Sequence, residues 1–148
     1  MAVDGLTFVD TNILIYAHDR SDRAKQGVAQ AILERLWADR TGTISTQVLQ
    51  EMYVVATSQQ KLAMSPQQAR DLVGTYSAWP TVVVEPALIL TASRLAEEHH
   101  LSFWDALIVE AARVAGAATL LTEDLQHGRM FGGVRVEDPF MDGPPGRT

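Results

Sequence analysis

The stretch Leu6-Thr7-Phe8-Val9-Asp10-Thr11-Asn12 decides the fold. Leu6 to Val9 reads as a short buried strand, and an acid followed by two small polar residues ends it. Outward from it, short apolar runs alternate with longer amphipathic ones, the pattern of strands joined by crossover helices in a mostly parallel sheet. A helix is expected from about Ala24 to Ala38, with Val28, Ile32, Leu33 and Leu36 on one stripe and Ser21 or Asp22 as its cap. Thr43 to Ser45 reads as a second strand, and Thr46 to Thr57 as a helix carrying Val48, Met52 and Val55 at helical spacing. Ser65 and Pro66 open another helix. Thr81 to Val84 is the expected third strand; Pro86 to His100 and Phe103 to Ala115 are helices, the second stopping near Gly116. Thr119 to Leu121 and Val134 to Val136 complete five strands.

A chain of 148 residues makes one domain, here 1–140, with the Pro- and Gly-rich 141–148 expected as a flexible tail. Apolar residues at 47% and charged residues at 20% exclude a disordered or collagen-like chain. No Cys is present, which excludes disulfides, thiolate nucleophiles and Cys-type metal sites and fits a reducing compartment. The net charge of −6 argues against holding nucleic acid mainly by a basic surface. The amino-terminal stretch does not read as a targeting segment, and no apolar run is long enough to span a bilayer, so a cytoplasmic location is expected.

In parallel sheets, ligands bind beyond the carboxyl ends of the strands where the strand order reverses. With strand order 3-2-1-4-5, strands one and four are neighbours, and Asp10 and Asp124 both face that point. Glu51 stands in the second turn of the helix leaving strand two. Asp105 stands in the first turn of the helix feeding strand four, which starts at the same edge. Each acid alone has an ordinary explanation: Asp10 as a cap, Glu51 as a solvated helix residue, Asp105 as the end of a capping box in Ser102-Phe103-Trp104-Asp105, Asp124 as a loop acid. Together they need another. Ionised carboxylates about 5 to 6 Å apart repel by roughly 3 kcal/mol per pair at an effective dielectric near 20. Hard divalent cations such as Mg²⁺ or Mn²⁺ relieve that repulsion and assist phosphodiester cleavage. Removing the four acids from the count takes the net charge from −6 to −2, so the remaining surface tolerates a polyanion.

Phe8-Val9-Asp10-Thr11-Asn12-Ile13-Leu14-Ile15-Tyr16, Ser45 with Glu51, Phe103-Trp104-Asp105-Ala106-Leu107-Ile108 and Leu121-Thr122-Glu123-Asp124 stand in this order along the chain. In these motifs the sequence resembles PIN-domain proteins, and within them VapC-type toxins, from about Phe8 to Phe140. The resemblance implies an α/β/α sandwich of three layers with a central parallel sheet. It also implies metal-dependent endoribonuclease activity, inhibition by a cognate antitoxin and a homodimer. It places Asp10, Glu51, Asp105 and Asp124 as the catalytic and metal-binding acids, with Asn12, Ser45 and Thr122 supporting them by hydrogen bonds. Glu123 beside Asp124 is ambiguous; the family pattern of Thr, any residue, Asp prefers Asp124.

His18, His99, His100 and His127 show no paired spacing for zinc. Arg20, Arg23, Lys25 and Arg129 are candidates for phosphate contact or plain surface charge, and Trp37, Trp79, Phe103 and Trp104 are assigned to the core or a dimer face. A haloacid-dehalogenase-type phosphohydrolase wants an acid where Asn12 stands. A receiver domain wants a lysine at the sheet edge, yet the only lysines are Lys25 and Lys61. Neither Gly-x-Gly-x-x-Gly nor Gly-x-x-x-x-Gly-Lys occurs. A catalytically silent binding module of the same fold is the alternative from another class.

Overall fold

The computed structural model describes residues 5–141; residues 1–4 and most of the expected tail, 142–148, lie outside the described part. Twelve elements follow one another: β1 (Leu6–Val9), α1 (Thr11–Tyr16), α2 (Arg23–Asp39), β2 (Gly42–Ser45), α3 (Thr46–Thr57), α4 (Pro66–Tyr76), β3 (Thr81–Val82), α5 (Pro86–His99), α6 (Phe103–Val114), β4 (Ala117–Leu121), β5 (Met130–Phe131) and β6 (Val134–Glu137). The sheet order is β3-β2-β1-β4-β6-β5, parallel except for the β5–β6 pair. With β6 as the expected fifth strand, this is the order 3-2-1-4-5 plus one antiparallel edge strand.

β1 lies at the centre because Phe8 and Val9 are both fully buried, the signature of a parallel strand covered on two faces. It pairs with β2 through Thr7 and Phe8 and with β4 through Val9 opposite Leu121. α1 contacts α2 and α3, α3 contacts α4, and α5 packs on α6. The chain moves from β1 to β2 to β3 in one direction and then returns past β1 to β4. Right-handed crossovers therefore put α1 to α4 on one face and α5 with α6 on the other. The order reverses between β1 and β4, and that point is where the site lies.

Caps set the helix starts. Asp22 accepts the Lys25 N–H at 3.1 Å, and Ser65 with Gln68 forms a reciprocal capping box before Pro66. Four elements differ from expectation. α1 lies where no element is expected; burial of Ile13, Leu14 and Ile15 and the Asp10 cap hold its six residues. β3 stops at Val82 because the Val84 N–H is taken by the Thr46 hydroxyl at 3.1 Å. β4 starts earlier, at Ala117. β5 is created by a turn at Gly132-Gly133, where Gly132 has φ +60, a conformation glycine adopts without strain.

Trp79 is buried and packs with Trp37 and Tyr76 at ring separations of 5.0 and 5.1 Å. Gly42 makes this possible, since a Cβ there would stand 2.7 Å from the Trp79 ring. Trp104, by contrast, is 63% exposed and rests edge-on against Phe103 outside the core. No helix among the described residues is long and apolar enough to cross a membrane.

Candidate active site

Asp10 leaves the carboxyl end of β1 and is buried. Its backbone N–H donates to the Leu121 carbonyl at 3.0 Å, which carries the β1–β4 ladder one step further and fixes where the carboxylate sits. One carboxylate oxygen accepts the Thr11 N–H at 2.7 Å, capping α1; the other accepts the Thr122 hydroxyl at 2.8 Å. Burial pushes its carboxyl up from 3.8 to about 7, against the two hydrogen bonds, with the negative charges of Asp124 and Glu51 adding to the rise.

Glu51 and Asp124 meet Asp10 at this point, and Asp105 reaches it through its charge alone. Glu51, from the second turn of α3, accepts the Thr11 hydroxyl at 2.9 Å and the Gln47 amide at 3.1 Å. Asp124 follows β4; its N–H donates to the Thr122 hydroxyl oxygen at 3.0 Å and its carboxylate accepts the Asn12 amide at 3.0 Å. Thr122 thus bridges Asp10 and Asp124. Asp105 sits in the first turn of α6, whose cap is the Ser102 hydroxyl accepting the Asp105 N–H at 3.0 Å. The reciprocal half of that box does not form, which leaves the Asp105 carboxylate free of the backbone. It is outside the lining of the cleft described below, but its charge reaches Asp124. Desolvation raises the Asp124 carboxyl first, then Asp105 and Glu123 do, with Asn12 opposing them.

Two expected supporting residues are placed otherwise. Ser45 makes no hydrogen bond to any of the four acids: it is fully buried at the end of β2 and caps α3 by accepting the Val48 N–H at 3.3 Å. Glu123 is committed to other partners, accepting the Lys25 ammonium at 2.9 Å and the Tyr16 hydroxyl at 2.8 Å. That same contact takes Lys25 out of the set of free phosphate ligands. Arg129 is likewise engaged, lying 4.6 Å over the Phe131 ring and 3.3 Å from His99 Nδ1, and Arg20 and Arg23 are exposed outside the cleft lining.

The acids open onto a cleft of about 610 Å³. Asp10, Asp19, Glu51, Glu123 and Asp124 line it, together with the apolar Ile15, Val54 and Val55, and Lys61 is its one basic residue. Thr11, Gln47 and Lys61 escaped the sequence reading. Gln47, four residues before Glu51 on one helix face, was the legible signal for the first pair; nothing local marked Lys61.

Among the described residues, no group of three or more His, Asp or Glu side chains is arranged to hold a metal ion as it stands. Protein donors take up both oxygens of Asp10 and of Glu51 and one of Asp124. The donor chemistry nevertheless fits a hard divalent cation, being carboxylate and amide oxygen with no thiolate. Asn12 Oδ1, on a residue of the cleft wall, is a buried acceptor with no hydrogen-bond partner.

A parallel α/β sheet with an acid-lined cleft at its switch point defines the class. The PIN domain family model matches residues 7–130, and the chain belongs to the PIN domain family. No curated protein matches the sequence. Among solved structures it is similar to a toxin-antitoxin complex from Klebsiella pneumoniae, with TM-score 0.67 and 23% identity over 90% of this chain and 97% of that one. VapC20 from Mycobacterium tuberculosis, described as a sarcin-ricin loop cleaving toxin, gives TM-score 0.58 and 21% identity over 77% of this chain and 86% of its own. FitAcB from Neisseria gonorrhoeae gives 0.64 and 18% over 91% and 99%. At these identities the likeness establishes the shared fold.

Proposed function

We propose that this PIN-domain chain is a metal-dependent endoribonuclease and the toxin of a type II toxin-antitoxin pair. In this reading Asp10, Glu51, Asp105 and Asp124 hold one or two Mg²⁺ or Mn²⁺ ions. The observation that carries the reading is geometric: the Thr122 hydroxyl joins Asp10 to Asp124, the Thr11 hydroxyl joins the Asp10-capped turn to Glu51, and burial together with the charges of neighbouring acids pushes the Asp10 and Asp124 carboxyls up. Such an arrangement is costly without a cation and is common where one is used.

When bound, a hard divalent ion supplies activation of water and relief of charge on the leaving oxygen. The side chains supply the rest. Thr122 orients Asp10, Thr11 and Gln47 orient Glu51, and Asn12 orients Asp124. The Thr11, Thr122 and Tyr16 hydroxyls all donate to carboxylates, and no His lines the cleft, so none of them is set up as a nucleophile. Glu51, Asp105 and Asp124 would join Asp10 in holding the ion. The similar structures described as toxin-antitoxin complexes support an antitoxin partner. A homodimer and a cytoplasmic location belong to the same proposal.

The test is cleavage of structured RNA by the purified protein with Mg²⁺ or Mn²⁺ and with EDTA. Cleavage requiring metal and lost in Asp10→Asn is expected. No cleavage of any RNA, together with no metal binding, identifies a silent binding module instead.

A further inference from the structure

Lys61 is one of two lysines in the chain. The other, Lys25, is held by Glu123 and Tyr16 at 2.9 and 3.3 Å. Lys61 lines the acidic cleft, is exposed, and its ammonium makes no ion pair or hydrogen bond among the described residues. A cation that shares a cleft with Asp10, Asp19, Glu51, Glu123 and Asp124 yet pairs with none of them is available to an incoming group.

Its position is built by the loop after α3. The Lys61 N–H donates to the Ser58 carbonyl at 3.0 Å, the Ala63 N–H to the same carbonyl at 2.9 Å, and the Met64 N–H to the Ala56 carbonyl at 2.8 Å. Ala63 adopts φ 49, a left-handed conformation that a residue with a Cβ takes only where surrounding contacts enforce it. The loop is thereby fastened to the end of the helix that carries Glu51. Val54 and Val55 share the lining and offer the ammonium no polar partner. What Lys61 offers is a compact charge with three rotatable donors on a flexible stem, which suits a phosphate group.

Resting on the nuclease reading, we infer that Lys61 is a positioning residue for the RNA substrate, holding a backbone phosphate at the mouth of the cleft while the acids act on its neighbour. A polyanion approaching an acidic floor needs such an anchor. Lys61 acts on substrate placement, so its loss weakens binding and leaves turnover at saturation intact.

The experiment measures binding of a fluorescein-labelled RNA hairpin to the protein with Asp10 intact, with Ca²⁺ in place of Mg²⁺ to suppress cleavage, across a salt series, with and without Lys61→Gln. Loss of one phosphate contact lowers the slope of log affinity against log salt by about 0.7 and weakens binding about three- to tenfold at low salt. Lys61→Arg restores both. In the active protein Lys61→Gln raises KM by the same factor with kcat unchanged. Arg94→Gln, which removes an exposed charge from α5 outside the cleft, leaves slope and KM as they were. If the wild type cleaves RNA but Lys61→Gln changes neither slope nor KM, or Arg94→Gln matches its effect, the inference falls and the nuclease reading stands. A wild type that neither binds nor cleaves RNA overturns both.

Discussion

Replacing Asp10 with asparagine removes a buried carboxylate while keeping its shape, and the structure sets the expected sign and size. A carboxyl moved from 3.8 to about 7 in the folded state binds its proton more tightly there by about 4 kcal/mol, at 1.36 kcal/mol per pH unit. Between those pH values the folded state carries more protons than the unfolded state, so wild-type stability falls as pH rises from 3.8 and levels off above about 7. Above that point the ionised side chain costs the metal-free fold the full amount. Asparagine avoids this cost and still caps α1, since its carbonyl oxygen accepts the Thr11 N–H equally well. It loses one thing. The Thr122 hydroxyl already accepts the Asp124 N–H, and with an amide facing it the hydroxyl proton has no acceptor, a loss of about 1 kcal/mol.

The net expectation is that metal-free Asp10→Asn is more stable than wild type by about 3 kcal/mol at pH 8. The advantage shrinks as pH falls through 7 and reverses by roughly pH 4 to 5. Acids away from the cleft titrate alike in both proteins and cancel in the difference, while loss of the repulsion from Asp124 and Glu51 acts in the same direction as the relief of burial. Urea unfolding followed by tryptophan fluorescence, with EDTA present and pH varied, measures it. An Asp10→Asn protein less stable than wild type at pH 8, or a difference that does not change with pH, would refute the reasoning and make Asp10 a structural cap first.

Two further outcomes follow from named contacts. Glu123→Gln breaks a half-exposed ion pair with Lys25 at 2.9 Å and costs up to about 1 kcal/mol of stability while cleavage persists; abolished cleavage would place Glu123 among the acting acids. Gly42→Ala drives a methyl to 2.7 Å from the Trp79 ring, costs about 1 to 3 kcal/mol and alters tryptophan emission, and unchanged stability would show that the ring yields freely.

Much of the architecture was legible because its determinants are local. The strand β1 is a short apolar run ended by an acid, and α3 and α4 announce themselves by helical spacing and by Ser65-Pro66. The sheet order 3-2-1-4-5 then places Asp10 and Asp124 at one edge. α1 was not legible, because Ile13, Leu14 and Ile15 have the apolar, partly β-branched character of a strand, and only packing against α2 and α3 makes six residues helical. β5 depends on a two-glycine turn and a partner strand, a non-local arrangement. In the site, Asn12 donates to Asp124 and Thr122 to Asp10, whereas Ser45 spends its hydroxyl on the α3 backbone. Lys61 stands ten residues beyond Glu51 in sequence and enters the cleft only through the fold of its loop.

The most direct measurement is a titration of chelator-stripped protein with Mn²⁺, followed by the loss of the free-ion electron paramagnetic resonance signal. Saturable uptake of one or two ions per chain, abolished by Asp10→Asn, is the predicted result. Absence of uptake at millimolar Mn²⁺, or equal uptake by both proteins, would contradict the account.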